Sequence, residues 1–274
     1  MIRTDIHTHT AFSGDGRSTI DEMIGRALQL GLTHYGISEH INYDYDRIGF
    51  TVDGEPFPST DEAAYFRRAR ALQKQYAAKI RILVGAEFGY DHSSRAQERY
   101  AALAERYRPD FIVNSVHTCR GDDCYFPQYF SGKSKEFVYN CYLYRVLESL
   151  DAPYPYDIVA HLGYCSRNAT YPDPKLRYEE YSDVLDEILK RTIAKDKILE
   201  VNTSAKTAGS PFIPDVDILS RYYELGGRKI SFASDAHDTS RVGDKRELVC
   251  EALKKIGFTC ITVPDRGKHL QIEL

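Results

Sequence analysis

Ile2-Arg3-Thr4-Asp5-Ile6-His7 opens the chain as a short β-like run that leads into Thr8-His9, and a helical pattern over Thr19–Leu30 follows. That pairing of strand and helix then repeats. Further β-like runs stand at His34–Glu39, Ile80–Glu87, Phe111–His117, Asp157–His161, Ile198–Asn202 and Lys229–Asp235, with an eighth candidate at Thr259–Val263. Helical patterns fill the gaps at Asp61–Ala78, Ser94–Tyr107, Lys135–Leu150, Tyr178–Ala194, Asp215–Leu225 and Arg246–Ile256. Ser18 and Thr19 ahead of Glu22 make a capping-box start, and Gly31 is a C-terminal stop. Strand, helix, strand at this rhythm requires parallel strands joined by crossover helices, an α/β fold. Seven or eight units suit a barrel, while an open doubly wound sheet also accommodates them.

Composition bounds the reading. The 274 residues are 42% apolar and 28% charged, an ordinary globular balance with enough length for a rigid core. No linker, low-complexity tract or charge block divides them, so residues 1–274 are read as a single domain. A formal net charge of -4 without a polybasic run speaks against nucleic-acid and membrane-surface partners. Cys119, Cys124, Cys141, Cys165, Cys250 and Cys260 form no CxxC pair and read as reduced thiols. Neither a signal-peptide pattern nor a run of ~20 apolar residues is present, and the expected location is cytoplasmic. Two stretches stand outside the repeat: Asp44–Thr60, a long loop, and Gly121–Lys133, an excursion after a strand.

The chemistry lies where metal-capable residues fall. The first run leads to His7 and His9, the second to His40, the third to Glu87, the fourth to His117, the fifth to His161 and the seventh to Asp235 and His237. Side chains two apart on a strand share a face, so His7 points with His9 and Asp235 with His237. In a barrel of parallel strands those ends meet on one rim, where active sites are built. One histidine at a strand end is most often a satisfied polar residue, but six of the nine histidines share this position. His34, His92 and His269 fall outside the pattern and read as structural or surface residues. Asp5, one pleat before His7, is either a ligand or an acceptor that orients a histidine.

The segments DIHTHTAFSGDG, SEH, GAEFGY, NSVH, AHLGY, EVNTSA and SDAH, in this order across nearly the whole chain, resemble the PHP (polymerase and histidinol phosphatase) family, and within it the histidinol-phosphate phosphatases. The resemblance implies a distorted (β/α)7 TIM-like barrel with a three-metal site at the C-terminal ends of its strands. Carried over by position, it implies a first metal on His7, His9, Glu87 and Asp235. A second would sit on Glu87, His117 and His161, with Glu87 bridging, and a third on Asp15, His40 and His237. Asp15 stands where some family members carry histidine. The mixed imidazole and carboxylate set suits zinc, iron or manganese.

The expected activity is hydrolysis of L-histidinol phosphate in histidine biosynthesis, with a hydroxide between the first two metals as nucleophile. Arg167 is the first candidate for the phosphate, because a guanidinium can grip it with a bidentate fork; Arg241 and Lys206 are further candidates. Tyr43 and Tyr45 are expected to line the pocket, and Asp44 and Asp46 to meet a cationic substrate. Departures from the subfamily's look fall around Gly163 and in Ser204–Pro214. Rival readings are a phosphatase for phosphotyrosine proteins, sugar phosphates or nucleotides, and a non-catalytic metal-binding module. The long loop after the second strand suggests a lid over a small phosphorylated metabolite.

Overall fold

Residues 1–206 and 209–274 are described by the computed structural model; Thr207 and Ala208, inside the Ser204–Pro214 stretch, lie outside the described residues. Seven strands, β1 Thr4–Asp5, β2 His34–Ile41, β3 Arg81–Gly89, β4 Ile112–Ser115, β5 Ile158–Val159, β6 Ile198–Asn202 and β7 Ile230–Ala233, form one sheet in that spatial order. Every pairing in it is parallel. The first and last strands bond to each other: Ile6 N–H donates to Phe232 O at 3.1 Å, Asp235 N–H to His7 O at 2.9 Å and His9 N–H to Ala236 O at 2.8 Å. The sheet is therefore a ring, and the open-sheet alternative does not hold.

A helix follows each strand: α1 Ile20–Gln29, α2 Glu62–Gln75, α3 Ser94–Tyr107, α4 Lys135–Ser149, α5 Ser182–Ala194, α6 Val216–Glu224 and α7 Arg246–Ile256. Local chemistry fixes their starts. Thr19 and Glu22 form a reciprocal capping box on α1, and Asp61, Ser93 and Ser134 each accept a backbone N–H at the head of α2, α3 and α4. Apolar faces of these helices pack on the outside of the sheet through residues such as Met23, Tyr65, Tyr100, Tyr142, Leu189, Leu219 and Leu253.

Inside the ring, Ile6, Leu83, Phe111, Val113, Ile158 and Ile198 form a separate apolar plug. Gly85 makes room for it, since a Cβ there would stand 2.4 Å from the Phe111 ring. The run at Thr259–Val263 is not an eighth barrel strand. Cys260–Asp265 (β8) pairs antiparallel with Lys268–Glu273 (β9), and Val263, Leu270 and Ile272 close the plug from the amino end of the strands. The hairpin turn, Arg266-Gly267, has positive φ at both residues (53° and 76°), the conformation that suits a two-residue link between twisted strands.

The two stretches outside the repeat roof the opposite end. Asp44–Thr60 is more ordered than its sequence suggests: Tyr43–Ile48 is a short helix ended by Gly49 at φ 65°, and Thr51–Val52 pairs with Glu55–Pro56. Gly121–Lys133 carries half of a small ladder, Thr118–Cys119 with Asp122–Asp123, and a turn of 3-10 helix at Pro127–Phe130.

Candidate metal centre

His40 and Glu87 sit within their ladder as register partners on β2 and β3, whereas the ladders stop just short of His7, His117, His161 and Asp235, and at two of these the backbone leaves regular geometry. Asp235 has φ 52° and His161 φ 21°, conformations that bend the chain out of the ladder and turn each side chain inward. Sparsely populated backbone of this kind is held in place by surrounding structure, and it clusters at functional sites.

The donor atoms converge. His7 Nε2 and His9 Nε2 are 3.1 Å apart. Glu87 Oε1 lies 3.4 Å from His7 Nε2, and Glu87 Oε2 lies 3.5 Å from His9 Nε2. Asp235 Oδ1 is 3.2 Å from His9 Nε2 and 3.9 Å from His7 Nε2. A tetrahedral metal with bonds of about 2.0–2.1 Å holds its donors about 3.4 Å apart, so His7, His9 and Glu87 bring their donor atoms to metal-sized spacing, with Asp235 Oδ1 beside them on the His9 side. On the far side of Glu87, His117 Nε2 and His161 Nε2 approach Oε1 to 3.2 Å and 3.1 Å. Nearer solvent, His237 Nε2 is 3.1 Å from Asp15 Oδ2 and 3.3 Å from His40 Nε2, while His40 Nε2 is 3.6 Å from Asp15 Oδ1.

Nearest-neighbour triads that could hold an ion cut across the sets the resemblance implies. They are His7, His9 and Glu87; His40, Glu87 and His117; and His9, His40 and His237. His40 is therefore placed against both outer groups, with its Nδ1 2.6 Å from Glu87 Oε2.

Partners on the other ring nitrogens fix two tautomers. His7 Nδ1 sits 2.7 Å from Glu200 Oε2, and a carboxylate can only accept, so Nδ1 carries the proton. His237 Nδ1 likewise faces the Asp235 carbonyl oxygen at 3.0 Å. In the neutral rings both Nε2 atoms then present bare lone pairs toward carboxylate oxygens, an arrangement that calls for a cation between them. The His117 Nδ1 and His161 Nδ1 atoms are buried without a hydrogen-bond partner among the described residues. This donor set fits divalent metal ions by type, spacing and protonation.

Electrostatics of the protein alone point the same way. Burial would push Glu87 and Asp235 up, but the imidazoles around them, joined by Arg167 at Asp235, hold both carboxyls well below the usual range. His9 is driven well below an ordinary histidine by burial and by His40 and His237, whose rings stack on it at 4.0 and 4.3 Å. Burial opposes charging His7, yet Glu200 and Glu87 raise it well above its ordinary value. Held carboxylates among histidines are ready for a cation and need no large reorganisation.

A cavity of about 400 Å³ opens over this cluster, lined by Asp15, His40, Glu87, His117, Asp235 and His237. All three predicted phosphate cations also line it. Arg167 is the best placed, with Nη1 3.3 Å from Asp235 Oδ2 and only 11% of its side chain exposed. Arg241 donates to Thr203 O at 3.1 Å and pairs with Asp244, and Lys206 donates to the Tyr125 hydroxyl at 3.0 Å. Gly163, at φ 118°, precedes the turn that sends Tyr164 into the cavity wall.

Some expectations need correction. Tyr45 lines the cavity but Tyr43 does not; it points back to Glu62 and under the Arg99 guanidinium. Asp46 pairs with Arg99 at 3.0 Å on the surface, and Asp44 is wholly buried behind the wall, so neither faces the cavity. Asp5 contacts no metal-capable group in these triads. It accepts from Ser234 N–H at 2.9 Å and Gly243 N–H at 2.8 Å, which ties β1 to the Asp235 turn. The acceptor that orients His7 is Glu200, which sequence reading passed over although it too sits in a strand near the rim. Arg17 and Ser204 in the cavity wall were also missed; Ser204 Oγ donates to Asp235 Oδ2 at 2.9 Å.

Comparison with known proteins agrees with the geometry. The PHP domain model matches residues 5–204. A relative in Clostridium acetobutylicum named "Probable histidinol-phosphatase" is 31% identical over 241 residues, covering 87% of this chain and 88% of its own. The histidinol-phosphatase of Lactococcus lactis subsp. lactis is 27% identical over 259 residues, covering 94% and 93%. The crystal structure of histidinol phosphate phosphatase from that organism, complexed with zinc, L-histidinol and phosphate, superposes with a TM-score of 0.81 at 25% identity and 98% coverage of both chains.

Proposed function

The chain belongs to the PHP domain family, and on that premise we propose that it is a histidinol-phosphate phosphatase, splitting L-histidinol phosphate into L-histidinol and inorganic phosphate. The observation that carries this reading is the convergence of six imidazoles with Glu87 and Asp235 at the carboxyl end of the barrel, below a cavity lined by Arg167. It is a metal-dependent phosphatase acting on a small phosphorylated metabolite in histidine biosynthesis. The cavity volume suits a metabolite, being within the ~300–1,000 Å³ typical of small-molecule sites.

Phosphate monoesters hydrolyse extremely slowly unaided, so the site must supply much charge stabilisation. His7, His9, Glu87 and Asp235 would hold one metal ion, Glu87 with His117 and His161 a second, and Asp15, His40 and His237 a third. Zinc, iron or manganese bound there supplies Lewis acidity toward the phosphoryl oxygens and an acidic water at neutral pH. Arg167 lies beside Asp235 in the cavity wall, where its guanidinium would grip a phosphoryl oxygen of the bound ester, and Lys206 and Arg241 add positive charge to the cavity lining. Phe50, Phe57 and Phe126 wall off solvent on the roof side. Residues 1–274 act as one domain around this centre, and the protein works in the cytoplasm; no described helix is long and apolar enough to cross a membrane.

Purified protein of known metal content, assayed for phosphate release from L-histidinol phosphate, a phosphotyrosine peptide and a sugar phosphate, tests the reading. Strong preference for L-histidinol phosphate supports it. Activity confined to either of the other two overturns the biosynthetic role, and metallated protein inert to all three overturns the phosphatase reading.

A further inference from the structure

Asp123 is a buried carboxylate in the cavity wall whose hydrogen-bond partners are all neutral. The residue is 1% exposed, yet it lines the same cavity as His117 and Arg167. Oδ1 accepts from the Tyr125 N–H at 2.6 Å and the Tyr164 hydroxyl at 3.2 Å, and Oδ2 accepts from the Tyr45 hydroxyl. A carboxylate offers about four lone-pair directions, so one on Oδ2 is left over. No lysine or arginine ion-pairs with Asp123 among the described residues. A second carboxylate stands behind it: Asp44, wholly buried, accepts from Thr118 Oγ1 at 3.1 Å, and Thr118 is the ladder partner of Asp123.

Two buried acids side by side without a basic partner are costly, because burial disfavours each charge and each repels the other. Burial pushes both carboxyls up, Asp44 to about 7, with His117 the imidazole that opposes the shift in each case. The wall around it is aromatic, with Tyr45, Phe50, Phe126 and Tyr164 among its residues; of the cavity's cations Arg167 lies over the Tyr164 ring at 5.3 Å and Lys206 over the Tyr125 ring at 5.1 Å, yet neither they nor Arg17 nor Arg241 form an ion pair with Asp123. The cavity thus holds cations suited to phosphate and, besides the carboxylates of the metal cluster, an aromatic-framed carboxylate that no described lysine or arginine neutralises.

We propose that Asp123 is the specificity residue that receives the substrate's ammonium group, accepting an N–H on the unused direction of Oδ2, so that the enzyme selects phosphate esters of amino alcohols over those of plain alcohols. The inference rests on the phosphatase reading above and deepens it, since L-histidinol phosphate carries both a phosphate and a primary amine. Tyr45 and Tyr164 hold the carboxylate in position from the excursions after β2 and β5, and the aromatic walls suit a planar ring beside the amine. A charge-assisted hydrogen bond in such a setting contributes about 10- to 100-fold in discrimination.

The test uses matched ester pairs with and without the amine: L-histidinol phosphate against its deamino analogue, and phosphoethanolamine against ethyl phosphate. Wild-type kcat/KM is expected to favour the aminated member of each pair, mainly through KM, and the ratio should collapse toward one in Asp123→Asn. Asp123→Glu, which keeps the charge, should retain more of the ratio than the amide. Equal rates for both members of each pair in the wild type would overturn the proposal even for an active phosphatase. So would an unchanged ratio in Asp123→Asn, or a loss shared equally by both members, which marks the residue as a clamp between loops and nothing more. A preference for phosphoethanolamine with no activity on L-histidinol phosphate would overturn the substrate assignment while supporting the ammonium site.

Discussion

At the amino end of the barrel strands the carboxylate of Asp110 is fully buried and fully answered. Arg70 Nη1 donates to it at 2.6 Å, Arg266 Nε at 2.7 Å, Gln73 Nε2 at 2.6 Å and the Val84 N–H at 2.9 Å. At the carboxyl end Glu87 is as deeply buried, but its neighbours are the imidazoles of His7, His40, His117 and His161. Both carboxyls are held below their ordinary range: burial raises each, and guanidinium groups offset it at one end while imidazoles do so at the other. The difference lies in what the neighbours are. Guanidinium is always charged, so the amino end is complete as a folding unit. Imidazole is charged only by a proton, or serves as a neutral ligand once a metal supplies the charge, so the carboxyl end is complete only with something bound.

The largest expected effect follows from that incompleteness. Stripping metal with a chelator should abolish phosphate release, and adding back zinc, manganese or iron should restore it and raise Tm. At a hundredfold excess over Kd the added stability is about 2.7 kcal/mol. His117→Ala should lower kcat/KM by roughly a thousandfold or more, as expected when a metal-bridged site loses a ligand. A Tm that ignores the metal would break the comparison, because the two ends would then be equally self-sufficient.

A smaller loss is expected one layer out. Glu200 fixes the His7 tautomer through Nδ1 and also accepts from the His161 N–H at 3.0 Å. Glu200→Gln should weaken metal affinity or activity about 10- to 100-fold, the usual range for partners that orient a ligand. Metal titration followed by activity would separate the two: saturating metal should recover most of the lost rate if orientation alone is impaired.

At the amino end the same kind of change should leave catalysis untouched. Asp110→Asn is expected to lower stability by about 2 kcal/mol, since the Val84 N–H and Gln73 lose an ionised acceptor while the half-exposed arginines return to water. The sign with pH follows from its depressed carboxyl. The stabilisation is present above the unfolded value near 4 and fades as pH falls through the lower folded value, so wild type and variant should converge in acid. Urea unfolding between pH 3 and 7 checks this, and a kcat/KM changed by more than about twofold would show the two ends to be coupled.

How much of this contrast could be read from sequence follows its range along the chain. The seven strand-and-helix units were legible because apolar periodicity and caps are local, as at Thr19, Asp61 and Ser93. The convergence of His7, His40, His117, His161 and His237 was legible because parallel strands put like ends together. The β8–β9 hairpin was misread as a possible eighth barrel strand: its turn, Arg266-Gly267, has a weak signature, and Lys268–Glu273 carries only two apolar residues, Leu270 and Ile272. Glu200 and Asp123 were missed for a different reason. Each acts through residues such as His7, Tyr45 and Tyr164 that are distant in sequence, and no local pattern records those pairings.

The smallest expected effect sharpens the comparison most directly, because it concerns redundancy. Arg266 lies in the hairpin turn with 58% of its side chain exposed, and Arg70 approaches the same Asp110 oxygen from α2. Removing one leaves the other, together with Gln73 and Val84, so Arg266→Ala should cost only about 0.5–1 kcal/mol. Arg70→Ala should cost somewhat more, since its guanidinium also donates to Arg108 O at 2.6 Å. The double variant should cost more than the sum, because only then does the buried carboxylate lose its last positive partner. The cycle is measurable by urea unfolding at neutral pH. Simple additivity would mean that the backbone and Gln73 donors suffice, and the amino end would then owe its completeness to neutral hydrogen bonds in place of fixed charge.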